Sequence, residues 1–173
     1  RRVLFRSWST GQEIASRNNG RQNGIVSWVG DWLLQVVDGT RIVGFNLHSG
    51  REYIIAQFSS SVDSLHPIPG RHQVAVTTVT GEAGIFDLDQ RTRILGFHDM
   101  APLQFSADGN QMLVDIRGDW ATVPYQSSRV LTSIFPSDIG QDPIRALGFS
   151  PDGRTLLVTK QAGVHLLSIG NDR

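Results

Sequence analysis

The sequence contains no cysteine, which excludes disulfide bonds, thiolate catalysis and cysteine-based zinc sites. It also has no excess of either charge, because 16 basic side chains balance 16 acidic ones. A balanced charge gives no electrostatic footprint for a phosphate backbone, so we expect no nucleic-acid partner. No uninterrupted apolar run approaches the roughly 18 residues of a membrane-spanning helix, so we expect no membrane span. A chain without cysteine suits either the cytoplasm or the periplasm, and the cytoplasm is slightly favoured.

Recognisable catalytic and metal-binding motifs are missing as well. The five histidines show no H-E-x-x-H and no paired spacing typical of a metal site, and solvated or core roles are favoured for them. The sequence contains no G-x-S-x-G elbow, although a triad assembled from distant Ser, His and Asp residues stays open. Asp87 and Asp89 resemble part of a calcium loop but lack the further ligands and the glycine. We therefore expect no catalytic residue, no metal and no cofactor in this chain.

The most regular feature of the sequence is a short, repeated β-hairpin motif, which is most complete at Phe149-Ser-Pro-Asp-Gly153. Pro and Asp stand where a type I turn favours them, and Gly stands where a positive φ is needed. Apolar runs flank the turn, as in a β-hairpin. A second copy is Phe105-Ser-Ala-Asp-Gly109, and two degenerate copies of the motif lie around Gly30 and Gly70.

The turn glycines of the four copies recur at spacings of 40, 39 and 44 residues: Gly30, Gly70, Gly109 and Gly153. A period of roughly 40–45 residues with four strands per unit is typical of a propeller blade. Helical solenoid repeats are the alternative, but runs of Val, Ile, Phe and Thr between glycine turns disfavour helices.

These phrases resemble the WD-repeat family and its bacterial relatives with F-S-P-D-G hairpins. The match rests on Phe149–Gly153 and Phe105–Gly109, and on Phe86-Asp-Leu88, where the family often has Trp-Asp-Leu. Two features depart from the family: no Trp-Asp pair ends a strand, and no Gly-His pair opens a unit. The resemblance implies an all-β propeller of about four four-stranded blades, forming a partial arc of a larger propeller.

Residues 1–7 resemble the in-frame translation of a sequencing adapter, and we interpret them as an artefact. The alternative is a genuine strand around Val3–Phe5. Residues 8–173 are then the propeller fragment, divided into blades at about 8–23 (partial), 24–58, 59–98, 99–136 and 137–173. The last unit has only three clear strands. We therefore expect the start of the chain to be missing, and the remainder of its own chain to be needed to close the propeller. The alternative is a four-bladed ring closed by Glu13–Ser16.

Propellers bind partners on the face that carries the loops between second and third strands and between blades. By this family-level analogy, the partner-binding candidates are Arg117, Asp119, Trp120, Asp38, Arg41, Glu82 and His98. Arg117 and Trp120 beside Asp119 are the first choice, because Arg and Trp are enriched at binding hot spots. The alternative for Trp120 is packing between blades. Trp28 and Trp32 lie in apolar strands, and we predict that both belong to the core.

The resemblance implies a non-enzymatic module for protein–protein interaction or scaffolding, with a protein partner whose identity is unknown. The alternative is a propeller enzyme or sensor, such as a lactonase-like protein or a propeller appended to a hydrolase or kinase. Its active residues would then lie largely outside this sequence. Carboxylates and histidines on the inner strands would favour the alternative, whereas a rim of exposed aromatics and arginines would favour interaction.

The expected open arc leads to a prediction about solution behaviour. An unclosed row of blades leaves an unpaired strand edge and an apolar end surface, so residues 8–173 expressed alone should associate or precipitate. Size-exclusion chromatography with light scattering checks this. A stable, cooperatively unfolding monomer would contradict the prediction and favour the four-bladed ring.

Overall fold

The computed structural model describes residues 2–6, 13–18, 24–97, 99–125, 132–134, 144–160 and 163–168. These residues form antiparallel strands and turns and contain no helix. It follows that this part of the chain has no helix long and apolar enough to cross a membrane.

Seventeen strands are present among the described residues, grouped into five sheets. The first two pair only with each other: β1 (Arg2–Arg6) and β2 (Glu13–Asn18). The first four-stranded sheet contains β3 (Val26–Val29), β4 (Trp32–Val37), β5 (Arg41–Asn46) and β6 (Arg51–Gln57). The second contains β7 (Val62–Pro67), β8 (Gln73–Thr78), β9 (Ala83–Asp87) and β10 (Thr92–Phe97). The third contains β11 (Ala101–Phe105), β12 (Gln111–Ile116), β13 (Asp119–Pro124) and β14 (Thr132–Ile134). The fourth has three described strands: β15 (Ile144–Phe149), β16 (Thr155–Lys160) and β17 (Gly163–Ser168).

Within each sheet the strands follow one another in chain order, joined by tight turns into antiparallel meanders. The first strands of successive sheets lie against each other: β3 against β7, β7 against β11, and β11 against β15. The sheets therefore fan out from a common centre, with their first strands innermost and their last strands outermost. The exposure of β10 agrees, since nearly all of its residues face solvent.

The core lies between the sheets, because the middle strands are apolar on both faces. In β8, Val74 and Val76 pack into the cluster shared with the first sheet, whereas Ala75 packs toward the third sheet. In β12, Met112 and Val114 face the second sheet, and Leu113 faces Leu156 and Val158 of the fourth. Full burial of one such side chain stabilises the fold by about 1.5–3 kcal/mol. Stacking of the sheets is therefore the main source of stability.

The Ser-x-Asp-Gly turn is a closed set of local hydrogen bonds. Ser106 Oγ donates to Asp108 Oδ1 at 2.6 Å, and the Asn110 amide donates to the same oxygen at 3.0 Å. The Gln111 amide donates to Ser106 Oγ at 2.9 Å, and the Gly109 amide donates to the Ser106 carbonyl at 2.9 Å. The turn at Ser150–Arg154 repeats the pattern, including a bond from Ser150 Oγ to Asp152 Oδ1 at 2.5 Å.

All four turn glycines that the repeat phrase identifies adopt the left-handed backbone conformation, with φ of 54° at Gly30, 72° at Gly70, 67° at Gly109 and 69° at Gly153. The turn interpretation of the sequence is confirmed at each position. At Gly109 a further constraint applies, because a Cβ would lie 2.5 Å from the Pro69 carbonyl oxygen of the second sheet. The missing side chain thus allows two neighbouring sheets to approach closely.

Substitution of two of these glycines separates backbone strain from the steric clash. Gly70→Ala should cost about 1 kcal/mol, because the left-handed conformation is strained but no atom lies within 4 Å of the new Cβ. Gly109→Ala should cost about 3 kcal/mol, because the neighbouring backbone must also move. Urea unfolding of both variants measures the difference. Equal losses would contradict the close approach of the second and third sheets.

The same turns predict an acid dependence of stability. The Ser106 hydroxyl, followed by the Asn110 amide, lowers the pKa of Asp108, and Ser150, followed by the Arg154 amide, lowers the pKa of Asp152. A carboxylate whose pKa is depressed by folding stabilises the fold above its unfolded pKa of about 4, and this stabilisation is lost as the pH falls through the folded value.

As the pH is lowered below about 4, the free energy of unfolding of Asp108→Asn/Asp152→Asn should therefore decrease less than that of the wild type. Thermal unfolding over this range checks the prediction. Asp31→Asn removes an exposed carboxylate outside the two turns and serves as the control. If the double variant loses as much stability in acid as the wild type does, the two turn carboxylates are not the source of the acid dependence.

Candidate functional site

One face of the molecule carries the turns between second and third strands together with the connectors between sheets. We call it the connector face and define it as residues 38–41, 59–61, 79–82, 99–100 and 117–120. Its segments are joined by backbone hydrogen bonds: the Val62 amide donates to the Gly39 carbonyl at 2.7 Å, and the Val79 amide donates to the Ser61 carbonyl at 2.9 Å. Ser60 Oγ and Thr80 Oγ1 are also hydrogen-bonded, at 2.7 Å. The connector therefore ties the turns of two successive sheets together.

Three ion pairs lie on this face, one at each of three successive sheets. They are Arg41–Asp38 at 2.5 Å, Arg93–Glu82 at 3.4 Å and Arg117–Asp99 at 2.6 Å. Two of these pairs, Arg41–Asp38 and Arg117–Asp99, include residues with a left-handed backbone. The φ angles are 53° at Asp38, 58° at Asp99 and 56° at Arg117. Such angles are rare outside glycine and are stabilised here by tight turns. The face thus presents charges of both signs at fixed positions.

Arg117 is the most accessible cation of the three pairs, with 74% of its side chain exposed. Its hydrogen bond to Asp99, together with the charge of that carboxylate, raises the pKa of Arg117. The guanidinium is charged at every physiological pH in any case. The pair therefore acts as a positional link between the turn after β12 and the connector before β11.

Arg93 lies flat across its own sheet. Its Nη2 donates to the Ala83 carbonyl at 2.7 Å, and its Nη1 reaches Glu82 Oε1 at 3.4 Å. A Cβ at Gly84 would lie 2.6 Å from Arg93 Nε, and a Cβ at Gly96 would lie 2.7 Å from Arg93 Nη2. The guanidinium therefore fills space that two side chains would otherwise occupy.

Trp120 and Asp119 begin strand β13 and differ in exposure. Asp119 is exposed, whereas Trp120 is half-buried and packs against the cluster of Leu113, Leu156 and Val158. Part of the Trp120 side chain therefore packs between sheets, as the alternative interpretation of this residue predicted. His98, the remaining candidate, lies outside the described residues.

The opposite face carries an inter-sheet network that the sequence did not reveal. Asp89 accepts a hydrogen bond from Trp32 Nε1 through Oδ1 at 3.1 Å, and its Oδ2 lies 2.9 Å from His72 Nδ1. Trp32 is 57 residues from Asp89 in the sequence and belongs to the neighbouring sheet. Asp87 is used locally, because its Oδ1 accepts from the Gln90 amide at 2.8 Å. Both carboxylates of the calcium-like phrase therefore have hydrogen-bonding roles within the fold.

Among the described residues, no group of three or more His, Asp or Glu side chains is placed to hold a metal ion. The histidines in this part of the chain lie apart. His48 is in an exposed turn, and His165 is exposed on β17. His66 is half-buried beside Ser64, and burial lowers its pKa, although the charge of Asp63 opposes the shift.

The prediction that Trp28 and Trp32 both belong to the core holds for only one of them. The prediction that Trp32 is core is confirmed, since it is 4% exposed, but the prediction that Trp28 is core is wrong, since it is 48% exposed. Trp28 lies on β3, the innermost strand, which has no sheet on its central side within the described residues. It lines a groove of about 350 Å³ between the first and second sheets, together with Val29, Gly30 and residues 67–72.

The sequence matches no protein-family model and no curated protein. Solved structures with β-propeller domains do match. The Cps50 (Swd1) β-propeller domain of Myceliophteria thermophila has a TM-score of 0.70 and 16% identity, with 98% of this chain and 61% of that chain covered. A chain of the mitotic checkpoint complex has a TM-score of 0.70 and 15% identity, with 98% and 56% covered. The C-terminal WD40 domain of Sif2 has a TM-score of 0.65 and 12% identity, with 90% and 47% covered.

The chain has the fold of a WD40 β-propeller. This confirms the all-β propeller prediction, with four-stranded antiparallel blades in a partial propeller. The chain spans between 47% and 61% of the length of these three matched chains. In propeller terms, the first strands line the central axis and Trp28 lies beside it. The connector face is the face of the propeller that carries the loops between blades.

Proposed function

We propose that this propeller is a non-enzymatic module for protein–protein interaction or scaffolding, and that it binds a protein partner through the connector face. The observation that carries the proposal is the row of three exposed ion pairs, Asp38–Arg41, Glu82–Arg93 and Asp99–Arg117, on three successive sheets. Each pair is attached to a sheet whose core packs against at least one neighbouring sheet.

The alternation of charge along this row suits a folded partner better than a uniformly charged ligand. Complementary charges on a partner surface fix its register and speed its association. Arginine is enriched at hot spots, and three of the six side chains in the row are arginines. Val79, 63% exposed on the turn beside Glu82, adds an apolar contact.

Pre-organisation favours binding at these turns. The connector of residues 59–61 is hydrogen-bonded to the turns on either side of it, through Gly39 and Val79. A loop that is already ordered loses little conformational entropy when a partner binds. The connector face therefore presents its charges at a low entropic cost.

The test compares partner binding by two charge-reversed variants. The chain is crosslinked in a lysate of the source organism, and the captured protein is identified and purified. Arg41→Glu/Arg117→Glu should weaken the binding of that protein by at least tenfold, because two hot-spot candidates are inverted. Arg154→Glu, which reverses the charge of one exposed arginine on the opposite face, should bind as the wild type does. Titration by biolayer interferometry measures both affinities.

Circular dichroism shows whether each variant keeps its fold. A purified partner that binds Arg41→Glu/Arg117→Glu as tightly as the wild type would refute the connector face as the binding surface. Turnover of a small molecule by the isolated chain would refute the non-enzymatic role.

A further inference from the structure

The fourth sheet has one face that points away from the third sheet, and this face is apolar. On the other face, Leu156 and Val158 of β16 belong to the cluster shared with the third sheet. Side chains alternate along a strand, so Leu157, which lies between them in sequence, points away from the third sheet. Leu157 is paired directly with Leu166 of β17, and Val164 lies on the same face two residues before Leu166.

These three side chains, Leu157, Val164 and Leu166, form a patch that we call the end patch. They are 38%, 63% and 69% exposed, respectively. A single exposed apolar side chain is ordinary on a protein surface, whereas adjoining ones on one sheet face are typical of an interaction surface.

The position of Leu157 is fully buried in each of the other three sheets. The third residue of the second strand faces the sheet that follows: Leu34 in β4, Ala75 in β8 and Leu113 in β12, each 0% exposed. Leu157 is the third residue of β16 and is 38% exposed instead. The end patch therefore continues the interface through which the sheets stack, and its chemistry suits another β-sheet.

The first sheet does not offer a matching open face at the other end of the row. Leu34 and Ile42 face the second sheet, so their neighbours Leu33 and Val43 face away from it. Leu33 and Val43 are nevertheless buried, at 7% and 4% exposed, and neither belongs to the cluster shared with the second sheet. Stacking of one copy head-to-tail on the next requires an open face here, so the structure disfavours it.

The absence of charge around the end patch favours a second copy of the same face as its occupant. The strand register places four further described residues on this face, all uncharged: Gly148, Thr155, Thr159 and Ser168. A two-fold axis brings a surface against its own copy, so any charged side chain on it would meet a like charge. An uncharged sheet face carries no such penalty. A Cβ at Gly148 would meet no atom within 4 Å, so the face is also open at that point.

We infer that two copies of the chain dimerise through the end patch, with their fourth sheets packed face to face about a two-fold axis. The three apolar side chains of each copy then lie against those of the other, as between the two sheets of a β-sandwich. Three strands of six residues measure roughly 14 by 20 Å, which is at the small end of specific interfaces. The dimer is therefore weak and reversible. The end patch shares no residue with the connector face, so this inference does not depend on the proposed function.

Sedimentation velocity of the whole chain over a concentration series tests the dimer. The wild type should change from monomer to dimer at roughly micromolar concentrations and should not grow further. Leu166→Asp should weaken dimerisation at least tenfold, because it buries a carboxylate in each apolar patch. Ile54→Asp makes the same change at a residue that is 61% exposed on the outer strand of the first sheet, and it should dimerise as the wild type does.

A mixture of Leu166→Asp and Leu166→Lys chains tests the two-fold arrangement. Each variant alone should stay monomeric where the wild type dimerises, and the mixture should form a heterodimer, because opposite charges then meet across the interface. A head-to-tail contact would not be restored by the mixture and would be weakened by Ile54→Asp. Either of these results would overturn the two-fold dimer.

Circular dichroism checks that each variant is folded. If Leu166→Asp does not fold, Leu166→Thr keeps a residue that is common in strands and should still weaken dimerisation, although by a smaller factor. A folded wild-type chain that stays monomeric up to about millimolar concentration would overturn the inference. Association that continues beyond the dimer, or that is unchanged in folded Leu166→Asp, would do so as well.

Discussion

Burial of both faces of the inner sheets, the second and the third, is the constraint on which the rest of the structure depends. Val74 and Val76 pack toward one neighbour, and Ala75, between them in sequence, packs toward the other. A single four-stranded sheet with two apolar faces would be insoluble, and it becomes stable only between two others. This requirement sets the fan-like arrangement. The arrangement in turn brings the turns between strands to two opposite faces, where side chains are free to meet a ligand.

The turns make this stacking possible, because they keep the ends of the sheets narrow. Gly109 allows the third sheet to approach the Pro69 carbonyl of the second, and Gly30 allows the first sheet to approach His72. The hydrogen bonds of the Ser-x-Asp-Gly turn hold the backbone in the left-handed conformation at little cost elsewhere. The same close approach forms the walls of the groove beside Trp28. The turn chemistry and the shape of this groove thus have a common origin.

Local signals in the sequence were sufficient to predict the strands, the turns and the propeller, because a turn such as Ser106–Gly109 is determined by neighbouring residues. They were not sufficient for Trp28 and Trp32, which lie in similar apolar strands but differ from 48% to 4% in exposure. The difference depends on which side of a strand faces another sheet. The bonds from Trp32 and His72 to Asp89 were equally inaccessible, because residues far apart in sequence meet only after the sheets have stacked. The connector face could be predicted from loop positions alone, whereas the groove depends on how two stacked sheets approach each other.

The guanidinium of Arg93 has an evolutionary consequence for the second sheet. It occupies the space above Gly84 and Gly96, so these three positions cannot vary independently. The three atoms nearest to a Cβ at Gly96 all belong to Arg93, so a lineage could acquire alanine there more readily once Arg93 had been replaced by a shorter residue. Gly84 is also crowded by backbone, because a Cβ there would lie 2.8 Å from the Leu95 carbonyl oxygen, so the same replacement would not release it. Replacement of Arg93 is therefore expected to favour alanine at Gly96, whereas Gly84 is expected to stay glycine.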